Sequence, residues 1–374
     1  MAGYSHLAWV RGYSQRGPGP LPNTQTALYR MSDLVSKGYM NADVGRGLLM
    51  ECGLVDMVWE VTWAEDYETP DADLSERIGN VEGYAIFIHG WTGNHTIWEE
   101  MPGMVVSDNR RLVSITVDHN GFGESVFIDQ TPSLDRCNPP AAIKTIEKWI
   151  DVLKIRHQPG DPHPKVINLI GHSMGGAMLF YLNPMNWRFG EETRLALAPA
   201  LLLNDTLHKA FFTALGVGIG LVDRLRFLTP VERLIEPRMV DAVCEGGSDY
   251  IKQAHTRQYG LTPRGITAAT FGAMGLLNNW EIPRKWDLFR VMLGHKDVLV
   301  GLIPMMDMLS EMEFPAGHVR VVAGSHYMFS VGRQTALQHS QNRELVVQDI
   351  LDLHRRALDQ QKTGKLVGGS RGFG

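Results

Sequence analysis

Cysteine is scarce in this chain. Cys52, Cys137 and Cys244 are the three present among 374 residues. They are far apart and odd in number, so neither a disulfide framework nor a zinc site is indicated, and a reducing compartment is the simplest reading. Clustered basic residues are also lacking: 36 Lys and Arg stand against 41 Asp and Glu, for a net charge of -5. Phosphate backbones need grouped cations, so nucleic acid is excluded as an expected partner. Long apolar runs are missing too. The longest, Phe211 to Val222, contains three glycines and is too short to span a bilayer. Met1 to Arg11 has no signal-peptide core. No phosphate loop is present, because the glycines around position 173 lack a following G-K-[ST], and Gly121-Phe-Gly123 is too short for a dinucleotide fingerprint. The expectation is a soluble, cytoplasmic protein without cofactor or metal and without a transmembrane segment. It would act on a small molecule, with a transient lipid-surface contact left open.

What is present is a G-x-S-x-G turn in a telling context. Residues 169–177 read Leu-Ile-Gly171-His172-Ser173-Met174-Gly175-Gly176-Ala. An apolar run, Lys165 to Ile170, precedes it and reads as a buried strand; Ala177 to Leu182 follows and reads as a buried helix. A sharp strand-to-helix turn strains the central residue and lifts its side chain above the sheet, and flanking glycines let strand and helix approach closely. The alternative for Ser173 is a plain structural turn serine.

The surrounding chain reads as alternating strands and helices. Strands are expected at 57–63, 83–88, 111–117, 165–170, 194–203, 290–294 and 318–322, and amphipathic helices at 141–157 and 343–360. Such alternation implies a mostly parallel central sheet with helices on both faces. Residues 1–55 form an N-terminal extension, with patchy helical periodicity over 24–52 in which Leu28, Met31 and Val35 share a face. The core then runs over 56–205 and resumes at 286–374, ending in a Gly-rich tail. Residues 206–285 look mostly helical and read as a cap over the carboxyl edge of the strands, where ligands bind in open α/β sheets.

A serine hydroxyl needs a base within reach. His326 follows the last strand, in Val322-Ala-Gly-Ser-His326-Tyr, and is the candidate among fourteen histidines. The imidazole in turn needs a carboxylate to fix its tautomer. Asp297, just after the preceding strand in Leu293-Gly-His-Lys-Asp297, is the first choice; Asp205 is the rival and otherwise reads as a helix cap. The amides of Trp91, in His89-Gly90-Trp91-Thr92-Gly93, and of Met174 are candidate oxyanion donors. His172 reads as structural, with its side chain pointing away from Ser173. Phe211, Phe212, Leu215, Met274, Leu276 and Trp280 in the helical stretch either face an apolar substrate or form that stretch's own core. Gly216-Val-Gly-Ile-Gly220 reads either as a lid hinge or as close helix packing.

On His89-Gly90-Trp91, Asp118-His-Asn-Gly121-Phe-Gly123-Glu-Ser125, Gly171-His-Ser173-Met-Gly175-Gly176, Asp297 and His326, the chain resembles the α/β-hydrolase fold superfamily over residues 82–362. The second motif resembles the superfamily's D-x-R-G-x-G-x-S turn, with Asn120 in place of the usual Arg. Within the superfamily the chain is most similar to capped serine esterases and monoacylglycerol-lipase-like proteins. The resemblance implies a triad in the chain order Ser173, Asp297, His326, and hydrolysis of carboxylic esters. A serine at the turn argues against the dehalogenase and epoxide-hydrolase branches, which use aspartate there. Carbon–carbon bond hydrolysis, perhydrolysis, thioester hydrolysis and acyl transfer use the same triad, and a non-catalytic ligand-binding receptor on this scaffold is the alternative of another class.

Overall fold

The computed structural model describes residues 21, 23–64, 81–157, 164–188, 190–201, 210, 213–214, 216–220, 240–241, 244, 247–277, 282–330 and 336–363. Its strands are β1 (Thr24–Arg30), β2 (Val58–Ala64), β3 (Gly83–Ile88), β4 (Leu112–Val117), β5 (Val166–His172), β6 (Glu192–Leu197), β7 (Phe289–Gly294) and β8 (Val319–Val322). They form one sheet in the order β1-β2-β4-β3-β5-β6-β7-β8. The first two pairings, β1 with β2 and β2 with β4, are antiparallel, and the rest are parallel. Every residue of β3, β4, β5 and β6 is buried, so both faces of the central sheet are covered.

The helices used below are α1 (Met31–Ser36), α2 (Ala42–Cys52), α3 (Met101–Asp108), α4 (Leu134–Cys137), α5 (Pro139–Val152), α6 (Met174–Met178), α7 (Asp249–Leu261), α8 (Arg264–Gly275), α9 (Leu302–Glu311) and α10 (Ala336–Thr363). α5 starts where Asn138 accepts a hydrogen bond from the amide of Ala141, with Pro139 as its first helical residue. It buries Ile143, Ile146 and Ile150, the stripe that the sequence presents at helical spacing. α5 packs on α6 and α2, while α10 packs on α3, β5 and β6.

Three local expectations differ. The helical pattern over 24–52 holds only from Met31 onward. Thr24–Arg30 is a strand because it pairs along its whole length with β2; tertiary pairing overrides a weak local pattern. The strand expected at 194–203 ends at Leu197, where Ala198 takes a φ of 42° and turns the chain. The helix after Ser173 is α-helical only to Met178, then tightens into a 3-10 turn over Leu179–Tyr181. Within 206–285 the described residues are largely helical. A Cβ on Gly216 would lie 2.7 Å from Gly272 N and 2.8 Å from Ala268 O, so this glycine marks close packing against α8.

Two close arrangements hold the carboxyl edge of the sheet together. The first is a buried ion pair. Asp118, at the end of β4, accepts from His95 N at 2.6 Å and from Glu124 N at 2.8 Å, and its Oδ1 lies 3.0 Å from His95 Nδ1. One carboxylate thus ties the loop after β3 to the turn after β4. Burial opposes charge on His95, but the charge and hydrogen bond of Asp118 outweigh it and raise the imidazole to about 9. Burial likewise opposes charge on Asp118, yet His95 brings that carboxyl below its ordinary value. A Cβ on Gly123, at φ +63°, would lie 2.1 Å from Asp118 Cγ, so glycine is required there. The second is the crossing of α6 over β3. A Cβ on Gly175 would lie 2.2 Å from Ile88 O and 2.6 Å from His89 O, both backbone atoms.

Both arrangements generate expectations. A group whose folded pKa is raised to about 9 from 6.5 stabilises fully below 6.5 and loses that contribution as pH rises through 9. The His95→Gln variant is therefore expected to be less stable than the wild type by about 3 kcal/mol at pH 6, with the gap shrinking by pH 10. Urea unfolding across that range checks it; a constant gap would show that His95 carries no charge in the fold. Gly175→Val is expected to cost about 3 kcal/mol or more, because backbone cannot retreat as a side chain can. A denaturation midpoint within error of the wild type would contradict that packing.

Candidate active site

Ser173 sits between β5 and α6 with φ 54° and ψ −117°. That backbone is disfavoured for any residue with a Cβ. It is held by three hydrogen bonds: Ser173 N donates to Leu197 O at 2.9 Å, and Ser173 O accepts from the amides of Ala177 and Ala200, each at 2.9 Å. The first and third anchor the turn to the end of β6. The loop after β3 passes directly over it, since a Cβ on Gly90 would lie 2.8 Å from Ser173 Cβ and 3.4 Å from its Oγ. Glycine is needed at 90 because the neighbour on that side is the serine itself.

Asp297 and His326 meet. His326 Nδ1 lies 2.9 Å from Asp297 Oδ2, and both side chains are buried. Asp297 Oδ1 accepts from the amides of Leu299 at 2.9 Å and Val300 at 3.1 Å. Burial pushes the Asp297 carboxyl up, but His326 and these two amides bring it below its ordinary value. Asp297 is thus an anion that fixes a proton on Nδ1 of the imidazole. His326 Nε2 is buried and, among the described residues, has no hydrogen-bond partner. His172 reaches toward this loop: its Nε2 donates to His326 O at 3.1 Å, and the two rings are 4.7 Å apart.

The loop carrying Trp91 is braced from below by two neutral imidazoles. His89 Nδ1 donates to Gly90 O at 2.7 Å, and its Nε2 accepts from His119 N at 3.2 Å. His119 Nε2 donates to His89 O at 2.8 Å, with the rings stacked at 4.1 Å. Burial holds His89 well below its ordinary value and His119 at about 4, so both are uncharged and each keeps the tautomer these bonds require. Among the described residues, the amides of Trp91 and Met174 donate to no protein acceptor. Met174 is the first residue of α6.

Asn120, at φ 56°, donates from Nδ2 to Cys137 O at 2.8 Å and approaches Met174 Sδ at 3.5 Å. Met274 is buried in the main apolar cluster, whereas Leu276 is exposed and lines a cavity of about 370 Å³ with Leu134, Tyr181, Ala273 and Leu277. Phe211, Phe212, Leu215, Trp280 and the rival acid Asp205 lie outside the described residues. No group of three or more metal-ligating side chains occurs among the described residues, and none of their helices is long and apolar enough to cross a membrane.

Sequence reasoning missed three residues at this site. Thr92 follows Trp91, Tyr327 follows His326, and His255 lies on α7; His255 hydrogen-bonds both of the others. Adjacency to Trp91 and His326 was a signal for the first two. His255 is 163 residues from Thr92 and carried no local signal.

A profile described as the Alpha/beta hydrolase family matches residues 85–336. No curated protein sequence matches the chain. Among solved structures, the chain is similar to a bromoperoxidase from Bacillus anthracis, with TM-score 0.54 and 14% identity, covering 80% of this chain and 96% of that one. It is similar to an esterase from Exiguobacterium antarcticum, with TM-score 0.52 and 15% identity over 74% of this chain and 93% of that one. It is also similar to a thermophilic esterase from Thermogutta terrifontis, solved with malate bound, with TM-score 0.50 and 16% identity over 81% and 94%. At such identities the likeness concerns the fold. With the family profile covering more than half of its length, the chain belongs to the alpha/beta hydrolase family.

Proposed function

We propose that this protein is a serine hydrolase that cleaves carboxylic esters of apolar acyl or aromatic substrates through an acyl-enzyme. One observation carries the reading: His326 is held by Asp297 through Nδ1 while its Nε2 is buried and, among the described residues, unpartnered, in a loop bonded to the residue that precedes Ser173. In this mechanism Ser173 Oγ attacks the ester carbonyl carbon and His326 Nε2 takes the hydroxyl proton. Asp297 stabilises the imidazolium without itself being protonated. The carbonyl oxygen becomes an oxyanion, met by the amides of Trp91 and Met174. Collapse breaks the bond to the leaving alkoxide, which receives the proton from Nε2. Water, deprotonated by the same nitrogen, then attacks the acyl carbon and releases the acid and Ser173. The helices between β6 and β7 serve as the cap that shapes the substrate side, with residues 1–55 as an N-terminal extension of which Thr24–Arg30 joins the antiparallel edge.

Hydrolysis of a p-nitrophenyl ester series from acetate to palmitate, by the wild type and Ser173→Ala, tests this. Turnover is expected in the wild type and lost in the variant, which should unfold at an unchanged denaturant midpoint. Wild-type inertness on every ester would move the assignment to carbon–carbon hydrolysis, acyl transfer or ligand binding. Asp297→Asn is expected to lower kcat on the order of 10⁴-fold, through loss of the tautomer and of imidazolium stabilisation. A larger loss in Asp205→Asn would transfer the acid role to Asp205.

A further inference from the structure

His255 joins the loop that passes over Ser173 to the loop bonded to its neighbour His172. Its side chain is buried on α7, with Nδ1 2.8 Å from Thr92 Oγ1 and Nε2 2.5 Å from Tyr327 Oη. One imidazole therefore spans from the loop of Trp91 to the loop of His326. Both partners are hydroxyls that can donate or accept, so a neutral ring with one N–H satisfies them in either tautomer. Burial, and then the proximity of His326, lower His255 to about 3, so it brings no positive charge next to the imidazolium that catalysis would form.

The position of α7 is itself anchored to the core. Its N-cap, Ser248, donates from its amide to Ser330 Oγ at 2.8 Å and from its hydroxyl to Glu99 Oε1 at 2.7 Å. His255 lies seven residues further on, two turns along the same helix face. The loop it reaches is strained. Thr92 has a φ of 51°, a conformation that a β-branched residue avoids. Such geometry persists only when its surroundings over-determine it. The neighbouring Trp91 is gripped by α8 in parallel: its Nε1 donates to Thr270 Oγ1 at 3.1 Å, and its ring centroid lies 3.7 Å from that of Phe271.

We infer that His255 is a positioning residue: by holding Thr92 and Tyr327 together it sets the oxyanion loop against the catalytic histidine, so seating of α7 on the core completes the site. This rests on the ester-hydrolase reading above. The bond from Thr92 fixes the peptide next to the Trp91 amide, and the bond to Tyr327 fixes the backbone that carries His326. Neither contact involves substrate, so the effect falls on the rate of the chemical step rather than on binding.

The test compares His255→Ala, His255→Gln, Tyr327→Phe, Thr92→Val and the Thr92→Val/Tyr327→Phe pair. Two readouts are used: kcat and KM on a short p-nitrophenyl ester, and the rate of Ser173 labelling by an alkyl fluorophosphonate. His255→Ala is expected to lower kcat and labelling about 10²-fold, the usual scale for a misplacement of about 1 Å, with KM within about threefold. His255→Gln, whose amide also carries a donor and an acceptor, recovers part of the loss. Thr92→Val and Tyr327→Phe each remove one oxygen at nearly constant shape and keep the question answerable if His255→Ala does not fold. Each is expected to lose about tenfold in kcat, and the pair to lose less than the product of the two, because both act through one ring. Wild-type labelling rates in both hydroxyl variants, or losses confined to KM, would overturn the positioning role alone. A wild-type protein that neither labels at Ser173 nor turns over esters would overturn the hydrolase reading and the positioning role with it.

Discussion

The positive φ of Ser173 is the constraint on which the rest of the site depends. A residue with a side chain enters that conformation only if its neighbours leave no alternative. Here β6 supplies much of the compulsion, because Leu197 O and Ala200 N hold both sides of the serine peptide. Glycines supply the room. Gly171 and Gly175 cross so closely that a Cβ on Gly171 would lie 2.3 Å from Gly175 O, and Gly90 brings the loop after β3 onto the serine. The strain is local, but its support is drawn from β3, β5 and β6 together. That is why the turn is reliable as a platform: moving Ser173 would require three adjacent buried strands to move.

Burial decides the protonation of the histidines around this platform. His89, His119, His172 and His255 are all pushed below their ordinary values, chiefly by desolvation. Neutral imidazoles donate once and accept once, which suits them to crossed brackets such as His89 with His119. The exception is His95, which has the Asp118 carboxylate beside it and is charged. The same residue type therefore does two jobs within one small volume, and the presence of a buried carboxylate separates them.

Legibility followed distance along the chain. The turn at Ser173 could be read because strand, glycines and helix are contiguous. The meeting of Asp297 with His326 could be read because each follows a strand end, and parallel strands deliver their carboxyl ends to one edge. Thr24–Arg30 could not be recognised as a strand: its burial does not alternate cleanly, and its partner lies beyond two helices. His255 sits on a helix whose sequence shows no catalytic pattern, and only folding brings it to Thr92. The ion pair of His95 with Asp118 was half legible, since the Asp118 motif stood out while His95 was one of fourteen.

Asn120 shows how a departure from a familiar motif can still serve the same turn. The position has φ 56°, and Asn enters that region more readily than most residues because its short side chain bonds locally. It also needs a donor, since the carbonyl of Cys137 ends α4 beside it, and the Asn120 amide fills that role at 2.8 Å. The same nitrogen lies 3.5 Å from Met174 Sδ, directly after the nucleophile candidate. A longer side chain would have to fold back to reach the Cys137 carbonyl in a position that is 4% exposed. The turn after β4, the end of α4 and the residue opening α6 are thus connected through one short amide. Asn120 therefore links the turn that holds the Asp118 clasp to the residue that follows Ser173.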